Sequence, residues 1–506
     1  MDPLDSFYRQ NPAYQAAHDG AWWVLADADG WGLVCDDAVH RVWSAFDGRP
    51  TDQVIAALSA ETGLSAAFVQ TTAKVLARAG LLIPSAPLPP IARVPSADPL
   101  PDPLPLVSVI ILASRQARVH LETCLPSVLG QTYPRLEVIL VDNQTTDDSV
   151  AFTRERFPQV RILSTPKPLG FGEANNLAMA QARGDFLFLI NEDTEMEPDC
   201  VAEAVRVMAR SERIACVAVK MKLFYMRNFF NSMGNSTHPD GHSDDNFIGY
   251  LDVGQFDHMD QVFTACFGAA MLRRSVVEEI GGMDRAYFVY CDDIDWAFRA
   301  RLRGYDVVAA PRAVIYHKFN ATVGTMVSTF KLGLSTRNRL RFVWKNLDFA
   351  RARHFTRLYR EEDRHAIVRA RQQNQAEVVR TYRRSWRQWT LSLPELLIAR
   401  WRTRSSRRPS FDDDAAFALI ERVPPPMMYG RYPVIHATLI RGHYMRLEAL
   451  RPEAAPAPED QVELTKYVPS IPPSLLQKAW RVLKKRGLRG LLRETASYLR
   501  WRLASR

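Results

Sequence analysis

Between residues 106 and 345 the chain repeats one pattern, a short apolar run followed by a stretch of helical periodicity. Val107–Leu112 and Glu137–Val141 are the first two runs, and Arg161–Leu163 and Phe186–Ile190 continue the series. Runs this short and this apolar do not alternate between a wet and a dry face, so they must be covered on both sides. Strands buried on both faces and joined by helices make a mostly parallel sheet, which is the α/β class. No run approaches the ~18 consecutive apolar residues that a spanning helix needs. A chain with 47% hydrophobic and 24% charged residues, and a mean hydropathy of −0.20, is neither disordered throughout nor a polytopic membrane protein.

With 506 residues, the chain has room for about three domains. Residues 84–105 carry nine prolines in 22 positions, which denies them a helix or sheet interior and predicts a semi-rigid extended linker. Before it lies a module over 1–83, with its compact part over 21–83. Ala21–Leu25 and Gly32–Cys35 read as strands, followed by helices near 37–46, 51–61 and 65–80. Thr51 is placed to cap the second helix, and Gly63 and Gly80 to stop the second and third. After 345 the chain is helical, Arg-rich and broken by Pro424-Pro425-Pro426 and a Pro/Ala stretch at 452–458, giving a region 346–506. The N-terminus, MDPLDSF, lacks a basic and then apolar lead-in, so no cleaved secretion signal is expected. The six cysteines are scattered without metal-ligand spacing, which fits reduced thiols in a cytoplasmic protein.

Net charge is +9, but residues 351–506 hold 32 Lys+Arg against 15 Asp+Glu, so the basic excess belongs to the C-terminal third. Residues 380–408 interleave Tyr382, Trp386, Trp389 and Trp401 with arginines, and 475–506 place Leu476, Trp480 and Leu483 at helical spacing beside Lys484-Lys485-Arg486. Packing against the body of the protein is the reading for 380–408. For 475–506 the reading is an interfacial helix on an anionic membrane, peripheral at the inner face of the cell membrane. RNA is a weaker reading for this third, and no nucleic-acid partner is expected, since residues 21–83 hold few basic side chains.

Three carboxylate sites fall at or beside strand ends, where open α/β sheets bind ligands. They are Asp142-Asn143 after the second run, Asn191-Glu192-Asp193 after Phe186–Ile190, and Asp292-Asp293-Ile294-Asp295 opening a helix. Oxygen ligands two residues apart after a strand suit a hard divalent cation, Mg²⁺ or Mn²⁺, that takes its other ligands from phosphate and water. A carboxylate outside the metal site can accept a proton. Asp292 and Asp295 read equally well as helix caps. Asp295, Arg299 and Arg303, at i, i+4 and i+8, read as surface ion pairing. If a helix starts near Asp292, residues 292 and 295 share a face and Asp293 points about 100° away into a less polar surround that favours proton acceptance.

Residues 107–345 resemble glycosyltransferase family 2, the inverting GT-A type, and most of all its rhamnosyltransferase-like branch. The matching segments are SVIIL at 108–112, LPSVLGQTYPRLEVILVDNQTTDDS at 125–149, PLGFGEANNLAMAQARGDFLFLINEDTE at 168–195, GAAMLRRS at 268–275, GGMDRAYFVYCDDIDWAFRARLRGY at 281–305, His317, and RNRLRF at 337–342. The resemblance implies a Rossmann-like, mostly parallel GT-A catalytic domain over 106–345. It implies that Asp142, Asn175 and Asn176 bind the nucleotide. It also implies that Asn191, Asp193 and His317 hold the metal, that Asp292 lies on the acceptor side, and that Asp293 is the general base. Leu112-Ala113-Ser114-Arg115 stands where the family has Pro-Thr-Tyr-Asn, and Gln144 where it has Gly, so the nucleoside-facing wall differs.

The segments HRVWSAFDGRPTDQVIAALSAETGLS and VLARAGLL resemble a PqqD-like domain, a small winged-helix-like α+β module that in its family binds a peptide. The fold expected is therefore an α/β catalytic domain with this module before it and a helical C-terminal region after it. The function expected is metal-dependent, inverting transfer of rhamnose or a related hexose from a nucleoside-diphosphate sugar to a hydroxyl in bacterial surface-glycan synthesis. The acceptor is a glycan, a lipid-linked sugar or a peptide. Two rivals are a transferase that modifies a peptide recruited by the N-terminal module, and a non-catalytic scaffold on a degenerate transferase fold. Residues 225–260, rich in Asn, Asp, His and Gly, read as a lid.

Overall fold

A computed structural model describes residues 7–19, 22–26, 32–35, 37–78, 81–85, 98–224, 227, 230–237, 243–248, 252, 256–318 and 329–421. The stretches at 424–426, 452–458 and 475–506, most of the Pro-rich linker, and parts of 225–260 lie outside them.

The N-terminal module is built from β1 (Phe7–Gln10), β2 (Gln15–Asp19), β3 (Trp22–Ala26), β4 (Gly32–Cys35), α1 (Asp37–Ala45), β5 (Asp47–Pro50), α2 (Thr51–Thr62), α3 (Ala66–Arg78) and β6 (Leu82–Pro84). Two three-stranded sheets result, in the orders β5-β1-β6 and β2-β3-β4. Strand β1 lies upstream of the compact part expected from the sequence, and it joins β5 to β6. Gly63 ends α2 in the left-handed region at φ 71°, which glycine adopts without steric cost. Thr51 does not cap α2. Pro50 occupies the capping position, and Thr51 is the first helical residue and is buried, so its hydroxyl is not placed as a cap.

The central sheet follows. Its elements are β7 (Val107–Arg115), α4 (Arg118–Leu129), β8 (Leu136–Thr145), α5 (Ser149–Arg156), β9 (Arg161–Ser164), α6 (Phe171–Met179), β10 (Phe186–Asn191), β11 (Thr194–Met196), α7 (Cys200–Ala209) and β12 (Ile214–Leu223). The chain continues through β13 (Phe230–Ser232), β14 (Asn235–Thr237), β15 (Ser243–Asp245), β16 (Ala269–Arg273), α8 (Arg274–Ile280), α9 (Asp292–Leu302) and β17 (Asp306–His317). The strand order is β11-β17-β12-β16-β10-β7-β8-β9, with β13 beside β12. Strands β7 to β10 pair in parallel, while β16 runs antiparallel between β10 and β12. Apolar side chains cover both faces, Ile110, Leu112 and Leu189 on one and Val109, Ile111 and Phe188 on the other. The Arg161–Leu163 run is different: β9 is the edge strand, and its ends Arg161 and Ser164 are exposed.

The chain order β7, β8, β9 runs outward, and β10 returns to the other side of β7. At such a switch point the carboxyl ends of neighbouring strands open a crevice. Register places Leu112 beside both Val141 and Asn191, and Ala113 beside Asp142, so the sequence-predicted ends meet at one edge.

The helices α10 (Thr329–Asn346), α11 (Phe349–Gln372), α12 (Ala376–Ser405) and α13 (Asp413–Glu421) cover α9. Ile294, Phe298 and Leu302 of α9 share one core with Leu340, Val343, Phe355, Tyr359, Trp389 and Leu396. This core runs through residue 345, so the first part of the C-terminal region is packed onto the helix that begins with Asp292.

Candidate active site

The sheet edge is shaped by two left-handed non-glycine residues, Arg115 (φ 54°) and Gln144 (φ 60°), at the ends of β7 and β8. Asp142 accepts from the Thr145 amide at 2.9 Å and its hydroxyl at 2.8 Å, which fixes one carboxylate oxygen. Asn143 holds the facing loop, since its Oδ1 accepts from Leu169 N at 2.8 Å and its Nδ2 donates to Leu169 O at 3.0 Å. Gln144 donates to the Thr165 carbonyl. Arg115 and Gln144, two of the positions that depart from the family pattern, thus turn the backbone at this edge.

Asp193 lies just past β10 and is 3% exposed. His317 ends β17, where the pairing of Thr194 with His317 brings it alongside. His317 Nε2 is 3.2 Å from Asp193 Oδ1, and its Nδ1 is 2.6 Å from Asn231 Oδ1. Burial works against both charges, yet the pair overrides it. Asp193 is held below the usual carboxylate range by His317 and also by His120, and His317 is raised by Asp193. Asn191 ends β10 two residues before Asp193, with its amide nitrogen 3.4 Å from where a side chain on Gly268 would begin. Among the described residues no three His, Cys, Asp or Glu side chains form a metal cage. Asp193 and His317 fit a hard cation that draws most of its ligands from phosphate and water.

Helix α6 supplies the two asparagines. Asn176 donates to Met283 O at 2.8 Å and accepts from Met283 N at 2.9 Å, so both ends of its amide hold the 281–291 loop. Asn175 is buried and donates to Phe171 O at 3.0 Å, while its Oδ1 has no partner among the described residues. The loop approaches closely because residue 170 is glycine; a Cβ there would sit 2.5 Å from Phe288 O.

That loop leads into α9 through three left-handed non-glycine residues, Phe288, Tyr290 and Cys291, at φ 64–71°. Such conformations cost about 1–3 kcal/mol each and need support. Arg337 donates to the Ala286 and Tyr287 carbonyls, both at 2.9 Å, and Asn338 donates to those of Tyr287, Val289 and Tyr290. The RNRLRF segment thus holds the backbone that aims Asp292 and Asp293.

The three aspartates of α9 have three environments. Asp292 is buried, its Oδ2 lacks a partner among the described residues, and burial followed by the neighbouring Asp293 charge raises it well above the usual carboxylate range. Asp293 is partly exposed; burial pushes it up to about 6 against the amides of Ile294 and Phe267. Asp295 is not on the surface. It is fully buried and accepts from Tyr287 Oη at 3.0 Å, Arg299 Nε at 3.0 Å and Asn346 Nδ2 at 2.8 Å, and it pairs with Lys345 at 2.9 Å. Burial raises it, but Lys345 and Arg299 hold it below its ordinary value. The expected Asp295–Arg299 pair exists but is internal, because α10 covers it, while Arg303 turns to Glu279 at 3.6 Å.

The described parts of 225–260 form a wall. Phe230, Phe247 and Phe256 pack with ring centroids 4.0–5.6 Å apart, and β13 extends the sheet. This wall contributes Asn231, Asn235 and Asp245, none singled out from the sequence. The Asn235 amide lies between Asp293 Oδ2, at 3.3 Å, and Asp245 Oδ1, at 2.7 Å. Burial pushes Asp245 up to about 7, with the Asp293 charge adding to it and His317 opposing it. The same wall meets His317 through Asn231 and Asp293 through Asn235, so it joins the two groups at one sheet edge. Lys318, whose amide donates to Asp193 O at 2.9 Å, and His120 complete its basic side.

The mostly parallel sheet thus carries buried carboxylates and a histidine at its carboxyl edge, the α/β arrangement that opens a ligand crevice at a switch point. Residues 108–281 match the model of glycosyl transferase family 2. Among curated relatives, an uncharacterised Sinorhizobium fredii protein, y4gI, is 30% identical over 49% of this chain and 28% of its own length. The O-antigen biosynthesis protein RfbC of Myxococcus xanthus is 28% identical over 43% and 18%. The N-acetylglucosaminyl-diphospho-decaprenol L-rhamnosyltransferase of Mycobacterium tuberculosis is 26% identical over 44% and 78%. The match spans under a third of the length of the first two. A Pyrobaculum calidifontis mannosyltransferase, solved with GDP-mannose and Mn²⁺, aligns with TM-score 0.36 and 17% identity over 75% of this chain and 90% of its own. No helix among the described residues is long and apolar enough to cross a membrane.

Proposed function

We propose that this protein is a metal-dependent, inverting glycosyltransferase that moves rhamnose or a related hexose from a nucleoside-diphosphate sugar to a hydroxyl acceptor in surface-glycan synthesis. The observation that carries the reading is that one wall holds both the Asp193–His317 pair, through Asn231, and Asp293, through Asn235. Asp193 and His317, with Asn191 nearby, would hold Mg²⁺ or Mn²⁺, which when bound neutralises charge on the departing diphosphate. Asp142 holds the nucleoside, and Asn175 and Asn176 shape that pocket, Asn176 by fixing the 281–291 loop. Asp293 accepts the acceptor's proton, since a carboxylate titrating near 6 is ionised at neutral pH and still basic enough to take it. Asp292, whose carboxyl is raised by burial and by the Asp293 charge, lies beside it and bounds the acceptor side.

The relatives whose names include O-antigen biosynthesis and a rhamnosyltransferase support the sugar class and the surface-glycan setting. In this reading the N-terminal part is a PqqD-like docking module, and the acceptor is a glycan, a lipid-linked sugar or a peptide. A cytoplasmic location at the membrane's inner face suits a lipid-linked acceptor. The test is a panel of nucleoside-diphosphate sugars assayed for metal-dependent binding and hydrolysis. One donor should bind only with Mg²⁺ or Mn²⁺ present, and binding of every donor with chelator present would refute metal dependence.

A further inference from the structure

The orientation of α12 is fixed by its inner face. Val379, Ser385, Trp389, Ser392, Leu396 and Thr403 are buried, so the opposite side must point outward. That outer side carries an uncommon combination. Leu391 is 43% exposed, Ile398 49% and Trp401 70%, making Trp401 the most exposed large hydrophobic side chain described. Arg384 and Arg387 flank this group toward the helix start and Arg402 toward its end, all exposed. At ~100° per residue these six positions fall within an arc of about 100°, so they form one stripe. Between 380 and 405 the helix has a single carboxylate, Glu395. It is turned inward onto Arg341 at 2.9 Å, so the stripe is purely cationic.

We propose that this outer face of α12 is a docking surface for an anionic lipid bilayer. The apolar centre runs along one helix stripe with arginines at both ends and no carboxylate on it, the arrangement of a helix that lies in an anionic membrane interface. A bilayer uses both parts: acyl chains take the apolar centre, the indole sits at the headgroup level, and arginines extend their heads to lipid phosphates. The same helix reaches the catalytic loop through Glu395, Arg341 and Asp284, so a docked α12 would hold the sheet-edge site at the membrane surface. This surface is distinct from 475–506 and does not depend on the proposed transfer reaction.

The test is sedimentation of the full chain with vesicles of phosphatidylcholine mixed with phosphatidylglycerol, against phosphatidylcholine alone. Two double variants are compared, Arg384→Gln/Arg387→Gln and Ile398→Asn/Trp401→Ser; their side chains are exposed, and an unchanged unfolding midpoint confirms folding. Two arginines lost near an anionic surface, or two apolar side chains lost from the interface, should each cost about tenfold or more in binding to the anionic vesicles. Sedimentation of both variants at the wild-type level overturns the assignment. So does a wild-type chain that ignores anionic vesicles. Retention on immobilised polyglutamate that the arginine variant loses, with vesicle binding unchanged, gives the face to an acidic protein instead.

Discussion

Asn338 Nδ2 lies 2.9 Å from the carbonyl of Tyr290, the left-handed residue two positions before Asp292. The same nitrogen serves the carbonyls of Tyr287 and Val289, so one amide on α10 holds most of the strained turn. Asn338→Ala should lower stability by about 2–3 kcal/mol, because buried carbonyls lose their donor. Relaxation of the turn moves Asp293, so turnover should also fall about tenfold or more while donor affinity holds. Thermal unfolding and steady-state kinetics together check this; a variant with wild-type midpoint and rate contradicts it.

Lys345 sits between two buried carboxylates, 2.9 Å from Asp284 and 2.9 Å from Asp295. Lys345→Met leaves both short of a counter-charge and should cost about 3–5 kcal/mol. In the wild type both acids lie below their ordinary values, burial being outweighed by Lys345 with Arg341 or Arg299. Their stabilisation is present above the unfolded carboxylate pKa and is lost as pH falls through the folded one. Without the lysine those folded values rise, so acid unfolding should begin at higher pH. An acid-unfolding curve superposable on the wild type's would show that the network is not coupled as described.

Asp292 titrates in the opposite sense. Its folded value is raised, so its contribution is complete below the unfolded pKa and declines as pH rises toward the folded one. Asp292→Asn keeps the neutral shape. The variant's unfolding midpoint should therefore gain steadily on the wild type's as pH rises above the unfolded carboxylate pKa of about 4. A constant difference across that range would mean that Asp292 is ionised.

Much of this was readable from residue patterns. Fully apolar runs announced β7, β8 and β10, since only strands covered on both faces are so uniform, and the carboxylates at their ends followed from the sheet's geometry. The i, i+3 relation placed Asp292 and Asp295 on one face, and both are buried while Asp293 is partly exposed, facing the Asn235 amide where a less polar surround was expected. Asp295 was misjudged because its spacing to Arg299 is the same on a surface helix as on a buried one; the covering helix α10 lies some 40 residues away in sequence. Asn231, Asn235 and Asp245 were hidden for a related reason. They lie in a polar segment without periodicity, and the pairing of β13 with β12, the pairing of Asn235 with Thr264 and the packing of three phenylalanines bring that segment to the site. Asn176 matched a family position, but its two bonds to Met283 could not be inferred from one sequence.

Asp193→Ala removes the carboxylate facing His317. Calorimetry with a nucleoside diphosphate and Mn²⁺ should show binding weakened at least tenfold, while the same titration without metal changes little. Equal metal-dependent affinity in the two proteins would take the metal away from Asp193.

The claim that Asp293 is the general base is tested most directly by the pH dependence of transfer in Asp293→Asn beside Asp292→Asn. With Asp293 pushed up to about 6, wild-type kcat/KM should fall as pH drops through that value and level off above it. Asp293→Asn should bind donor and metal normally, lose about 10²-fold or more in turnover and lack that acid limb, whereas Asp292→Asn keeps the limb with a milder loss. Near wild-type turnover in Asp293→Asn, with Asp292→Asn inactive, would contradict the account.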